Sequence, residues 1–208
     1  MTERTVTTSG KGRTATEPDV AEVRLWVAGR HDSSDVAYGR ASDLELSVRN
    51  ELASTSVDEA SIRTTDVRLE HRDTAFEVGA ADPEYRAETS MTVDCVPETV
   101  GEVVRTVTAV GTGTGIEGVR FDVGDAERRR LEEVAVADAM ADARRKAETI
   151  AAAEGLSVGG VLAVTTETTV GEMNGIVDEA LASTSDGFEP NPIEVEESVE
   201  VRFELIDA

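Results

Sequence analysis

Few side chains in this sequence carry chemistry that another residue type could not supply. Cys95 is the only cysteine and the histidines are His31 and His71, so neither an intramolecular disulfide nor a Cys/His zinc cluster is available. Cys95 alternates with Met91 and Val93 and reads as a small buried hydrophobe, with a redox-reactive thiol as the alternative. His71 falls on the polar-alternating part of a strand and His31 just after one, so both read as surface or edge residues. The carboxylates Glu194, Glu196, Glu197 and Glu200 would suit a hard cation, but their strand-like spacing makes them a solvated sheet face. A dinucleotide loop needs strand, glycines, then helix. At Gly111-Thr-Gly113-Thr-Gly115 the helix comes first and a strand follows, so these glycines read as a helix-to-strand turn. Gly10-Lys11-Gly12 lacks the frame of a phosphate-binding loop and reads as a turn closing a short strand. No G-x-S-x-G elbow accompanies the many Ser and Asp residues. The sequence therefore assigns no catalytic, cofactor-binding or metal residue.

Composition narrows the setting. The 208 residues carry 43 acidic and 20 basic side chains, a formal net charge of −23, and only Lys11 and Lys146 among the basic residues are Lys. A nucleic-acid groove is excluded by that balance, because the basic runs Arg128–Arg130 and Arg144–Lys146 lie inside a helical pattern. Dispersed carboxylates with almost no Lys are the signature of salt adaptation, since acidic surfaces stay soluble where brine screens self-repulsion. The N-terminal residues lack the apolar core of an export signal and no stretch approaches a membrane span, so a cytoplasmic protein in a reducing compartment is expected. Aromatic residues are only 3% of the chain, which leaves the core to Val, Leu, Ile and Ala.

The elements follow from periodicity. An extended segment Thr5–Ser9 precedes the strand Val20–Gly29, where Ala21, Val23, Leu25 and Val27 alternate with Glu22, Arg24 and Trp26. Helical spacing over Ser34–Leu52 puts Val36, Ala37, Ala41, Leu44, Val48 and Leu52 on one side, with Ser33 or Ser34 as N-cap. Period two returns in Ile62–Val78 and Tyr85–Val96, a long antiparallel hairpin. A helix from Pro97 to about Val110 and a strand Ile116–Asp122 complete a β-α-β-β-α-β ferredoxin-like order, an α+β fold with an antiparallel twisted sheet. There follow a long helix, Asp125 to about Glu154, with an alanine-rich stripe and Gly155 just past its end, and two strands, Val161–Val170 and Ile193–Ile206. Between those strands Gly171–Pro192 is a long connection with room for a short helix near Ile176–Leu181. A single domain over 1–208, with lobes 1–122 and 123–208, is expected.

Several short motifs run in a particular order: Gly10-x-Gly12, Pro18-Asp19-x-Ala21, Ile62-x-Thr64, Gly118-Val119-x-Phe121, and Ala139-x3-Ala143-x2-Lys146-Ala147-Glu148-x2-Ala151-x3-Gly155 with Gly160. In that order and spacing they resemble the SIMPL domain family over nearly the whole chain. The family includes bacterial periplasmic immunogenic proteins and an oxidative-stress-defence protein. The resemblance implies ring-like oligomers, a stress-related role, and no established catalytic site or cofactor. Lacking the export signal of many bacterial members, the sequence reads as a haloarchaeal cytoplasmic one. Two functions of different classes stand at this point. One is a non-catalytic oligomeric or partner-binding module, with no nucleic acid or membrane as partner; the other is a small-ligand-binding protein or enzyme whose site is dispersed in sequence.

Overall fold

Among the described residues seven strands form two sheets, one covered by two helices and the other by a third. The structure is a computed structural model that describes residues 4–71, 83–167 and 190–208. Its elements are β1 (Thr5–Thr16), β2 (Val20–His31), α1 (Ser34–Ala53), β3 (Ile62–His71), β4 (Tyr85–Cys95), α2 (Val100–Ala109), β5 (Thr114–Asp122), α3 (Asp125–Ala153), β6 (Leu156–Glu167) and β7 (Ile193–Asp207). The extension of the third strand to Val78, the last residues of Val161–Val170 and the helix expected at Ile176–Leu181 lie outside the described residues.

The described residues divide into two compact units, 18–71 with 83–122, and 4–17 with 123–167 and 191–208. In the first unit β2-α1-β3-β4-α2-β5 is the expected β-α-β-β-α-β series. Its sheet has the order β3-β4-β2-β5 with antiparallel neighbours throughout. Ala21, Val23, Leu25 and Val27 of β2 meet Met91 and Val93 of β4, and both rows are closed over by Val48 and Leu52 of α1 and Val100, Val103 and Val107 of α2. Ser33 is the N-cap of α1, but its side chain makes no capping bond. Its backbone N–H donates instead to His31 Nδ1 at 3.0 Å. Pro97 opens a single 3₁₀ turn, Pro97–Thr99, before α2 begins at Val100.

In the second unit the sheet order is β1-β7-β6, again antiparallel, with α3 packed on it. A division at residues 122 and 123 would give β1 to the ferredoxin-like lobe, but β1 pairs along its whole length with β7, from Thr5 opposite Glu204 to Thr16 opposite Ile193. The alanine stripe of α3 is as the sequence requires: Ala135, Ala139, Ala143, Ala147 and Ala151 are buried, with Val199, Val201 and Phe203 of β7 beneath its central part. Gly155, at φ +68°, follows the last turn.

Two sequence expectations change here. Gly10-Lys11-Gly12 is not a turn, because β1 runs straight through it from Thr5 to Thr16. A Cβ on Gly10 would overlap the Ala139 carbonyl oxygen and sit 2.6 Å from Ala143 N, and one on Gly12 would overlap the Ala135 carbonyl oxygen. Both positions are glycine so that the helix backbone can rest directly on the strand. The second change is at β6, which begins at Leu156, five residues before the expected start. Register shifts between Val158 and Val161 and between Val161 and Ala163 interrupt its alternation, which hides the first half of the strand from a period-two reading.

Candidate functional site

The residues singled out for chemistry do not converge. His71 ends edge strand β3, where Nε2 lies 2.9 Å from Glu84 Oε1 and the ring is tilted against Tyr85 at 4.8 Å. His31, at the end of β2, accepts the Ser33 N–H. Cys95 is half-buried at the end of β4 against the core, and burial pushes its thiol above the ordinary range, with Asp94 adding to the effect and Thr99 opposing it. A thiol held protonated is a poor nucleophile. Gly111 and Gly113, at φ +137° and +100°, form the helix-to-strand turn between α2 and β5. Among the described residues no three His, Cys, Asp or Glu side chains gather as metal ligands would.

The glutamates of β7 divide by parity. Glu194 and Glu196 lie on the outer face beside β1, where Arg13 reaches both at 2.7 and 2.5 Å and Lys11 reaches Glu196 at 3.2 Å. Those cations hold the Glu196 carboxyl below its usual range. Glu197, one residue on, must face the other way, onto α3, in line with Val199, Val201 and Phe203. It is buried there, so the expectation of a solvated face fails for this residue. Burial, and then the neighbouring Glu132, raise its pKa above the ordinary carboxylate range.

What the second unit does build is a sheet with unlike edges. At the β1 edge, α3 supplies side chains that occupy the strand's outward backbone groups. The Lys11 N–H donates to Asp142 Oδ2 at 3.1 Å, and Lys146 Nζ donates to the Ser9 carbonyl at 2.8 Å while pairing with Asp142 at 2.7 Å. Asp142 also pairs with Arg145, and its pKa is lowered chiefly by the Lys146 bond and then by the Lys11 N–H. Thr8 Oγ1 donates to the Ala143 carbonyl at 2.8 Å. Lys146, one of two lysines in the chain, is therefore a strand-edge clamp. Together with Gly10, Gly12, Ala139 and Ala143 it turns the longest sequence motif into a helix-on-strand lock.

The opposite edge is β6, which pairs on one side only, with β7, among the described residues. Leu156–Thr166 contains no charged residue. Val161, Leu162 and Val164 are 44%, 39% and 46% exposed, and residues 161–166 are exposed without a break. Opposite β7 the run Ala163–Glu167 keeps register with Arg202–Ser198, so the backbone there is regular. A flat, uncharged, apolar edge of this kind presents unpaired N–H and C=O groups to another strand. The outer strands of the other sheet, among the described residues, are guarded: β3 carries Arg63, Asp66, Arg68 and Glu70 and bulges between Thr64 and Asp66, and β5 carries Glu117, Arg120 and Asp122. Local sequence does not distinguish an edge strand from a central one, so β6 was not legible as a site.

Against known proteins, the chain matches the family model SIMPL, described as a protein of unknown function (DUF541), over residues 6–203. The comparison with curated proteins found no match.

Proposed function

The chain belongs to the SIMPL family, and from that premise we propose that it is a non-catalytic module that works by assembling, with copies of itself or with a protein partner, in a salt-rich cytoplasm. The observation that carries this reading is the unlike pair of edges in the second unit. One edge is occupied by Asp142 and Lys146, and the other, β6, leaves Val161, Leu162 and Val164 exposed on a chain that is otherwise crowded with carboxylates. Exposed apolar edge strands are aggregation hazards, and proteins guard those that serve nothing. The dispersed acidity supports the salt-rich setting, and no helix among the described residues is long and apolar enough to cross a membrane. Light scattering in molar potassium chloride tests the reading: it requires a mass above that of the 22.1 kDa chain, or a stable complex with a partner. A chain that stays monomeric and captures nothing contradicts it.

One observation favours a ligand-binding reading as the second choice. On the face of the four-stranded sheet away from α1 and α2, Trp26 lies against Gly115 with the Arg86 guanidinium 5.6 Å from its ring centroid. Arg86 Nε and Thr92 Oγ1 are buried there without a hydrogen-bond partner. Unpaired buried polar atoms beside an indole suit a planar polar ligand. Quenching of Trp26 fluorescence across a metabolite panel tests this, and a flat response to every compound removes it.

A further inference from the structure

Gly118, which opens the motif Gly118-Val119-x-Phe121, is a mid-strand glycine that the fold does not require. A Cβ there meets nothing within 4 Å, and its φ is outside the left-handed region. Neither close packing nor the bulge beside it therefore calls for glycine. Such a residue weakens a strand, and its remaining use is to let a ligand approach bare backbone. We propose that Gly118, bordered by Trp26, Arg24 and Arg120, is the floor of a site for a small planar aromatic ring that carries an oxyanion, a phosphate or a carboxylate. This inference gives a chemical class to the ligand reading of Trp26, on which it rests, and is independent of whether the chain assembles.

Register places the parts. On the face of the sheet away from α1 and α2, Gly118 lies opposite Arg24, Gly115 opposite Trp26, and Arg120 opposite Glu22. Glu117, the extra residue of the bulge, lets Gly115 and Gly118 share that face although they are three residues apart. Gly118 is thus a gap on β5 between Arg120 and the glycine that carries the indole. Gly115 shows what such a patch holds: the Trp26 ring lies on it, with Cε2 and Cζ2 2.6 Å from where a Cβ would stand. A second flat ring rests on the bare backbone at Gly118 in the same way, beside the indole.

Charge selects the oxyanion. Arg24 and Arg120 are diagonal neighbours on adjacent strands, close enough for two long side chains to reach one group. They pair with Glu22 at 3.8 Å and Asp122 at 3.7 Å, longer than hydrogen bonds, whereas Arg63 and Arg68 on the same face hold Asp94 and Asp66 at 2.7 Å. Both guanidiniums therefore keep donors for an incoming acceptor. On the other side of Arg24, directly across on β4, Thr92 is 6% exposed and its Oγ1 has no hydrogen-bond partner, a further polar group that packing alone does not account for. At −23 the chain repels anions at long range, but molar salt screens that field and leaves contacts at hydrogen-bond distance in place.

The test titrates the full chain in molar potassium chloride with adenosine monophosphate, naphthoate, adenosine and inorganic phosphate. Binding is followed by calorimetry and by the fluorescence of Trp26, the only tryptophan. The expected result is that adenosine monophosphate, naphthoate or both bind at least about tenfold tighter than adenosine and phosphate, which each carry half of the chemistry. Binding of one and not the other tells a phosphate site from a carboxylate site. Gly118→Val should lose binding yet melt no lower than the native chain, because its side chain enters open space and valine suits a strand. Arg24→Gln and Arg120→Gln should each weaken binding at least about tenfold. Adenosine or phosphate binding as tightly as the combined probes overturns the proposal, and so does a Gly118→Val, Arg24→Gln or Arg120→Gln chain that binds like the native one. Silence from all four probes also overturns it; a metabolite panel that still quenches Trp26 then keeps the broader ligand reading, and a flat panel removes both.

Discussion

Replacing Gly10 by alanine tests whether α3 sits on β1 as closely as described. Alanine has the higher strand propensity and loses less backbone entropy on folding, so on an unobstructed strand it would stabilise the protein by roughly 0.5–1 kcal/mol. Here the new Cβ overlaps the Ala139 carbonyl oxygen and lies 2.6 Å from Ala143 N and 2.9 Å from Ala143 Cβ. Two of those three obstacles are backbone, so no rotamer change relieves them. The helix must lift off the strand, which loosens Ala139 and Ala143 from Phe203 and stretches the Lys146 bond to the Ser9 carbonyl. Overpacking costs about 1–3 kcal/mol when side chains can adjust, and backbone-on-backbone contact puts Gly10→Ala at the upper end, about 3 kcal/mol. For a chain of this size that lowers Tm by about 6–12 °C. The internal control is Gly39→Ala in α1, where a Cβ meets nothing within 4 Å and the helix gains about 0.5–1 kcal/mol. Thermal melts followed by circular dichroism in constant molar salt report both. A Gly10→Ala chain as stable as the native one, or more so, would refute the close approach and the reading of the Gly10-x-Gly12 motif built on it.

Glu197→Gln should stabilise the protein at neutral pH by about 1 kcal/mol, because it removes a buried charge that burial and the neighbouring Glu132 both disfavour. Since burial raises the Glu197 pKa in the folded state, native stability is lost as pH rises through that raised range. The variant's advantage should accordingly vanish below the ordinary glutamate range, where Glu197 is protonated whether folded or not; denaturation across pH 4–8 that shows a constant or negative difference refutes it. Net charge predicts that Tm rises continuously with potassium chloride from about 0.01 M into the molar range, as the Debye length falls from about 30 to 3 Å. A flat or falling midpoint would remove the salt-adapted assignment.

Much of this fold is visible in the sequence because each element is specified by local period. Ala21, Val23, Leu25 and Val27 announce a strand with one buried face, and Ala135 through Ala151 announce a helix meant to lie close to something. What that something is cannot be read locally. Glycine permits a turn and permits close approach, and only the position of α3, more than a hundred residues further along the chain, decides that Gly10 and Gly12 serve the second purpose. Glu197 is a different case, because the signal was present: it shares parity with Val199, Val201 and Phe203, whereas Glu194, Glu196 and Glu200 do not. Reading the four as one acidic set hid it. The β6 edge depends on pairing between strands far apart in sequence, with bulges masking its first half, and neither composition nor periodicity states which strand ends a sheet.

Amide hydrogen exchange along Leu156–Glu167, followed as the native chain is concentrated in molar salt, tests the use of this edge most directly. The account predicts that amides in Ala163–Glu167 exchange quickly in dilute solution on the side away from β7 and become protected as concentration rises. Those of β1, already held by α3 and β7, should not change. β6 amides that exchange at the same rate at every concentration, or protection that grows at β3 or β5 instead, would contradict it.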